Sequence, residues 1–223
     1  MPALRIAIVG AESTGKTTLA QTLAARLGAE TGRRVAWVPE LLREWCEQHG
    51  RTPLQQEQAP LARSQHVRIA AAAAAHDIVV CDTTALMTAV YSRIVFGDRS
   101  LDAEAAELHR SGVALTLLTA LDLPWVADGL QRDGPHVRQP VDDALRELLL
   151  AQRLPFAVVA GAGERRIAHA LAAVAPLLRG LPEGSATRRG LFTGLGEPGR
   201  EARCGWACEC CDPASEQALL RQR

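Results

Sequence analysis

Apolar residues along this chain come in two alternating rhythms. Short runs rich in β-branched residues at 4–9, 34–39, 78–81, 113–118 and 156–160 read as buried strands. Between them lie longer segments with apolar residues at helical spacing, at 18–27, 41–49, 54–76, 88–96, 102–109, 142–152 and 164–178. Gly28 and Gly50 follow two of these segments and are expected to stop them. Strands alternating with helices predict a parallel five-stranded sheet covered on both faces, an α/β fold in three layers, with ligands at the carboxyl ends of the strands.

The first strand and first helix are joined by Gly10-Ala11-Glu12-Ser13-Thr14-Gly15-Lys16-Thr17, the phosphate-binding loop pattern G-x-x-x-x-G-K-[ST]. Backbone N–H groups of such a loop and the N-terminus of the following helix together attract phosphate. Lys16 is the only lysine among 25 basic residues. A compact ammonium fits between a tight loop and a triphosphate where a planar guanidinium is too bulky. Gly10, Glu12, Ser13, Thr14, Gly15, Lys16, Thr17 and Thr18 are therefore expected around ATP, with Lys16 on the β- and γ-phosphates. The Thr17 hydroxyl is expected on Mg²⁺.

Two acids end strands. Asp82 closes 78–81, a position that holds Mg²⁺ directly or through water, although Asp and Thr there also cap helices. Glu40 closes 34–39 and can take the proton of an attacking hydroxyl; a first-turn helix acid is the alternative, and Asp82 is the competing base. Arg43, three residues on, lines a substrate or pairs with Glu40. Arg63 and Gln65 on the long helix hold substrate or face solvent. The segment 122–138 reads as an irregular lid, with Arg132 and Arg138 closing over transferring phosphate. Trp125 stacks on a base or sugar, or anchors the lid root. Gly161 and Arg165 follow the last strand, where adenine would lie.

Formal charge is zero over 223 residues, so no global field favours nucleic acid or an acidic membrane. The alanine-rich stretch at 69–75 is too short to span a bilayer, and the N-terminus runs directly into the first strand. A cytoplasmic protein without membrane or nucleic-acid partners is expected, with a homodimer left open.

Glu12-Ser13 inside the loop, Val38-Pro39-Glu40 with Arg43-Glu44, Ala62-Arg63-Ser64-Gln65, Asp82-Thr83, and Asp122-Leu123-Pro124-Trp125-Val126-Ala127-Asp128-Gly129 stand in this order. Together they resemble the NadR-like P-loop ATPase and kinase family, over roughly residues 3–178. The resemblance implies a P-loop NTPase of the nucleoside/nucleotide-kinase type that transfers the ATP γ-phosphate to the 5′-hydroxyl of nicotinamide riboside, in NAD salvage. It carries Lys16 and Thr17 over as phosphate and Mg²⁺ ligands, Glu40 as the substrate-side acid and Asp82 as the Mg²⁺-side acid. Gln131 stands where the family often has arginine, which leaves the lid arginine open between Arg132 and Arg138. With no adenylyltransferase or helix-turn-helix segment ahead of Met1, a stand-alone kinase-like unit is expected.

After Arg179 the composition shifts. Residues 1–179 read as the kinase-like domain and 180–223 as a flexible tail rich in Gly, Arg and Cys. Cys204, Cys208, Cys210 and Cys211 offer four thiolates for Zn²⁺ or an iron–sulfur cluster, although their spacing fits no familiar knuckle; a redox-sensitive tail is the alternative. Two other functions stay open: a deoxynucleoside or nucleotide kinase, and a regulatory nucleotide-switch ATPase reporting through that tail.

Overall fold

The computed structural model describes residues 2–126 and 134–181. Five strands, β1 (Leu4–Val9), β2 (Val35–Val38), β3 (Ile78–Asp82), β4 (Leu115–Thr119) and β5 (Phe156–Val159), form one sheet in the order β2-β3-β1-β4-β5. Every pairing is parallel. The helices are α1 (Lys16–Thr31), α2 (Leu41–His49), α3 (Gln55–Ala75), α4 (Ala85–Phe96), α5 (Asp102–Arg110), α6 (Arg138–Ala151) and α7 (Gly163–Arg179). From β1 the chain runs to the edge strand β2, returns to β3 beside β1, then crosses to β4 and β5 on the other side, so the connections change direction at the carboxyl end of β1.

Period-two alternation in the central strands sorts the core into layers. Ile6 and Ile8 of β1 and Ile78 and Val80 of β3 join Leu19, Leu23 and Leu27 of α1 and Ile167 and Val174 of α7. Each such fully buried side chain contributes about 1.5–3 kcal/mol. On the opposite face Val9 and Leu118 meet Leu86, Met87 and Val90 of α4 and Leu145 and Leu148 of α6. Val79 and Cys81 meet Val38 of β2 and Ile69 of α3.

Helix α4 begins at Ala85, three residues earlier than expected, and two other boundaries differ for reasons the sequence shows. Gly28 does not stop α1, which runs to Thr31 and closes on Gly32 in the left-handed region at φ 64°. Gly32 is the residue whose backbone needs the freedom of glycine, while Gly28 is tolerated inside the helix at a cost of about 1 kcal/mol relative to Ala. Helix α6 begins at Arg138 rather than 142. Pro140 falls in its first turn, where a missing N–H removes no intrahelical bond.

Among the described residues no helix is long and apolar enough to cross a membrane. His109 of α5 is buried between two hydroxyls, Thr84 Oγ1 at 3.1 Å and Thr116 Oγ1 at 2.8 Å. It thereby fastens α5 to β4 and to the segment that follows Asp82.

Candidate functional site

The loop between β1 and α1 is held by its own residues and by the end of β4. Gly10 has φ 152°, and a Cβ there would overlap the Thr119 hydroxyl. Only glycine fits. Thr14 Oγ1 donates to Ala11 O at 2.8 Å and lies 2.7 Å from Thr119 Oγ1, which reaches Val9 O at 3.2 Å. Gly15, at φ 73°, caps α1, and Lys16 Nζ donates to Ala11 O at 2.9 Å. The result is a closed loop at a helix N-terminus with an ammonium beside it, an arrangement suited to polyphosphate. Ser13 is tied to the segment after β4: Val126 N–H donates to its hydroxyl at 2.8 Å. Thr18 is exposed on α1.

Asp82 ends β3 next to this loop and is 1% exposed. Its Oδ2 accepts from Thr17 Oγ1 at 2.6 Å, and its Oδ1 has no hydrogen-bond partner among the described residues. Burial pushes the carboxyl above its usual range, opposed by the Thr17 hydrogen bond and by the charges of Lys16 and Arg43. A buried carboxylate oxygen without a partner beside a hydroxyl is an oxygen donor set that fits a hard cation such as Mg²⁺. No cluster of three or more metal-ligating side chains occurs among the described residues, so the remaining ligands would be phosphate oxygens and water, as Mg²⁺ prefers.

On the β2 side of the loop lies a cavity of about 240 Å³. Glu12, Ser13 and Lys16 line it from the loop, Glu40, Arg43 and Cys46 from the end of β2 and from α2, and Gln58 from α3. Tyr91, Val95 and Phe96 of α4 form its apolar wall. Glu40 stands at the N-terminus of α2 with no capping bond from its side chain. The chain on either side of it is clamped, because buried Gln65 accepts from Leu41 N–H at 2.8 Å and donates to Pro39 O at 3.2 Å. Burial and the charge of Glu40 raise the Cys46 thiol above its ordinary value, which keeps it protonated. Gln58 Nε2 donates to Pro53 O at 3.3 Å, which fixes the amide orientation; its Oε1 has no partner among the described residues.

The structure thus brings Glu12, Lys16, Glu40 and Arg43 to one cavity and sets Thr17 and Asp82 beside the loop. It does not bring the other expected contacts there. Arg63 is exposed and pairs with Glu104 of α5 at 2.5 Å and 3.0 Å, since α3 and α5 present opposite charges at that height. Gln65 acts on the backbone behind the cavity rather than on its lining. Trp125 is half-buried in the segment after β4 and does not line the cavity. Arg138, expected on a flexible lid, is a buried residue of the first turn of α6, because the helix starts four positions earlier than its pattern suggested. Arg132 and the four tail cysteines Cys204, Cys208, Cys210 and Cys211 lie outside the described residues.

After β5, Arg165 is exposed with its stem against Gly161, and the buried arginine is its neighbour Arg166. Arg166 Nη1 donates to Asp122 Oδ1 at 2.8 Å and Gly161 O at 2.7 Å, and Nη2 donates to Thr14 O at 2.8 Å. Gly161 N–H donates to the other Asp122 oxygen. Burial of Asp122 would raise its pKa, but the Gly161 and Arg166 bonds outweigh that and hold it below the ordinary value. Sequence reading missed Arg166, Thr119 and Gln58. All three gain their roles from partners more than a hundred positions away or from a loop turned back on itself. The one local signal for Arg166 was its place in the first turn of the helix after the last strand.

The sequence matches the AAA domain family over residues 5–166. The fold is similar to two solved NadR structures. One is NadR protein in complex with NAD and AMP-PNP, at 19% identity and a TM-score of 0.64, covering 83% of this chain and 52% of that one. The other is NadR protein in complex with NR, at 19% identity and a TM-score of 0.66, covering 83% and 54%. This chain therefore spans about half the length of those proteins. It is also similar to thymidylate kinase from Ehrlichia chaffeensis, at 16% identity and a TM-score of 0.54, covering 79% of this chain and 100% of that one. No curated protein matches the sequence. The fold is a kinase-like P-loop fold.

Proposed function

The chain belongs to the AAA domain family, and from that premise we propose that it is an ATP-dependent small-molecule kinase. Its acceptor is the 5′-hydroxyl of a riboside, with nicotinamide riboside the first choice. The observation that carries this reading is the cavity of about 240 Å³ that Lys16 and Glu40 both line. A triphosphate on the loop places its terminal phosphate near Lys16, and the adjoining cavity has room for a small acceptor. Glu40 accepts the hydroxyl proton as the oxygen attacks the γ-phosphorus and ADP leaves. Lys16 balances charge on the transferring phosphoryl group, and Arg43 faces the same space. Thr17 and Asp82 would hold Mg²⁺, which would supply positive charge to offset the negative charge of the phosphates.

The apolar wall of Tyr91, Val95 and Phe96 suits a flat ring, and the oxygen end of Gln58 suits an amide N–H on that ring. The NadR neighbour in complex with NR, whose fold covers most of this chain, supports the choice of nicotinamide riboside among ribosides. Thymidylate kinase supports a nucleoside or nucleotide acceptor as the second reading. The nucleotide-switch reading rests on a tail outside the described residues and on no observation of the site. Cytoplasmic location and homodimer formation remain part of the proposal, with NAD salvage as its context.

The test is incubation of the full chain with ATP, Mg²⁺ and a panel containing nicotinamide riboside, nicotinic acid riboside, thymidine and thymidine monophosphate. Product from nicotinamide riboside at the highest kcat/KM supports the proposal. Preference for thymidine or its monophosphate favours the second reading, and no phosphorylated acceptor at all, with ATP binding intact, refutes both.

A further inference from the structure

One guanidinium joins three parts of the nucleotide side of the site. Arg166, on the first turn of α7, is 4% exposed. It donates to the carboxylate of Asp122 beyond β4, to the carbonyl of Gly161 beyond β5, and to the carbonyl of Thr14 inside the phosphate loop. These three acceptors come from segments far apart in sequence. Nothing in the catalytic reading above uses this residue.

The bond to Thr14 has a geometric consequence. The chain contains no cis peptide among the described residues. In a trans peptide the C=O and the following N–H lie in one plane and point in opposite directions. A guanidinium that holds the Thr14 carbonyl at 2.8 Å therefore fixes the Gly15 N–H to point away from α7. Gly15 is the N-cap of α1, so this N–H belongs to the group that has no intrahelical partner. Gly15 sits at φ 73° with no side chain to restrain it, so a bond that holds the Thr14 carbonyl limits rotation of the Thr14–Gly15 peptide.

The geometry points to Arg166 as a positioning residue for the triphosphate. It sets the Gly15 N–H toward the phosphates, and through Asp122 and Gly161 it locks the turn after β5 to the same loop. This inference rests on the reading of residues 10–17 as a polyphosphate site. It assigns Arg166 no contact with ATP; it acts through the Thr14–Gly15 peptide. The turn and the loop are consequently set as one unit before nucleotide arrives, and binding need not order them.

Titration calorimetry of the full chain tests this with two probes, ATP with Mg²⁺ and inorganic tripolyphosphate with Mg²⁺. Arg166→Met is expected to weaken both by about 10-fold to 100-fold, the loss of one oriented hydrogen bond to a charged group. Binding of nicotinamide riboside is expected to stay unchanged. Arg166→Lys keeps a charge against Asp122 and is read alongside, so that the test stands if the methionine variant does not fold. It is expected to recover part of the affinity for both probes. Unchanged tripolyphosphate affinity in both folded variants would overturn the inference, whether or not ATP is weakened. A wild-type chain that binds neither probe would overturn the polyphosphate reading beneath it, an outcome distinct from failure of Arg166 alone.

Discussion

Thr17 and Asp82 are 65 positions apart and are joined by a 2.6 Å hydrogen bond from the threonine hydroxyl to Asp82 Oδ2. The bond is possible because β1 and β3 are neighbours in the sheet, with Ile8 opposite Asp82 in register. The end of β3 thus lies beside the start of α1. A side chain from each supplies oxygen at one point, next to a loop shaped for phosphate.

Under the proposed function, in which Thr17 and Asp82 hold Mg²⁺, activity is expected to depend on the metal. Asp82→Asn keeps the volume and one oxygen but removes the charge. Turnover is expected to fall by about 100-fold or more, since such charge stabilisation is worth several kcal/mol. Nucleotide titrations with and without Mg²⁺ check it: the wild-type gain in ATP affinity on adding Mg²⁺ is expected to shrink in the variant, with metal-free affinity retained.

Glu40→Gln is expected to lower kcat by about 10²-fold to 10⁴-fold, the usual contribution of a positioned general base. Its neutral amide cannot take the hydroxyl proton, yet it retains the size of the cavity wall. Steady-state kinetics should show the KM for ATP unmoved.

Gln65 tests whether placement of Glu40 matters as much as its charge. Gln65→Leu removes both bonds that hold Pro39 and Leu41. A stability loss of about 1–3 kcal/mol is expected from the unpartnered backbone groups, measured by thermal or urea unfolding. In the folded variant kcat should drop about 10-fold to 100-fold, because small misplacements of reacting groups cost that much. ATP affinity should hold.

His109 gives the molecule an acid sensitivity unrelated to catalysis. Burial, aided by the charge of Arg110, lowers its pKa from 6.5 to about 4. The unfolded chain therefore takes up a proton at higher pH than the folded one. Stability is expected to be full above about pH 6.5 and to fall as pH drops toward 4, by about 3 kcal/mol over the window. Carboxylates whose values are lowered by arginine partners, such as Glu44 and Glu104, lose their contribution at more acidic pH. Urea unfolding from pH 7 to pH 4.5 is the measurement, and His109→Gln should flatten the slope.

The phosphate loop, the order of elements and the placement of Lys16, Thr17, Asp82 and Glu40 around that loop were readable because their signals are local. A glycine-rich turn between a strand and a helix, or an acid closing an apolar run, declares itself within ten residues. What escaped depends on the third dimension. Gln65 and Arg63 sit two residues apart on α3, and nothing in their spacing tells which one turns inward to the β2–α2 junction and which pairs with Glu104. Arg165 and Arg166 are adjacent, and only the docking of α7 on α1 and the sheet buries the second. The start of α6 was missed because Pro140 reads as a break unless the first turn is known to surround it.

The fate of the γ-phosphate is the most direct test of the proposed kinase activity. Phosphorus NMR of the full chain with ATP, Mg²⁺ and nicotinamide riboside, run beside Lys16→Ala, follows it atom by atom. The expected result is a phosphomonoester signal on the 5′-oxygen of the riboside in step with ADP formation, absent in the Lys16→Ala sample although that variant stays folded. ADP accompanied only by inorganic phosphate, with the riboside unchanged, would contradict it.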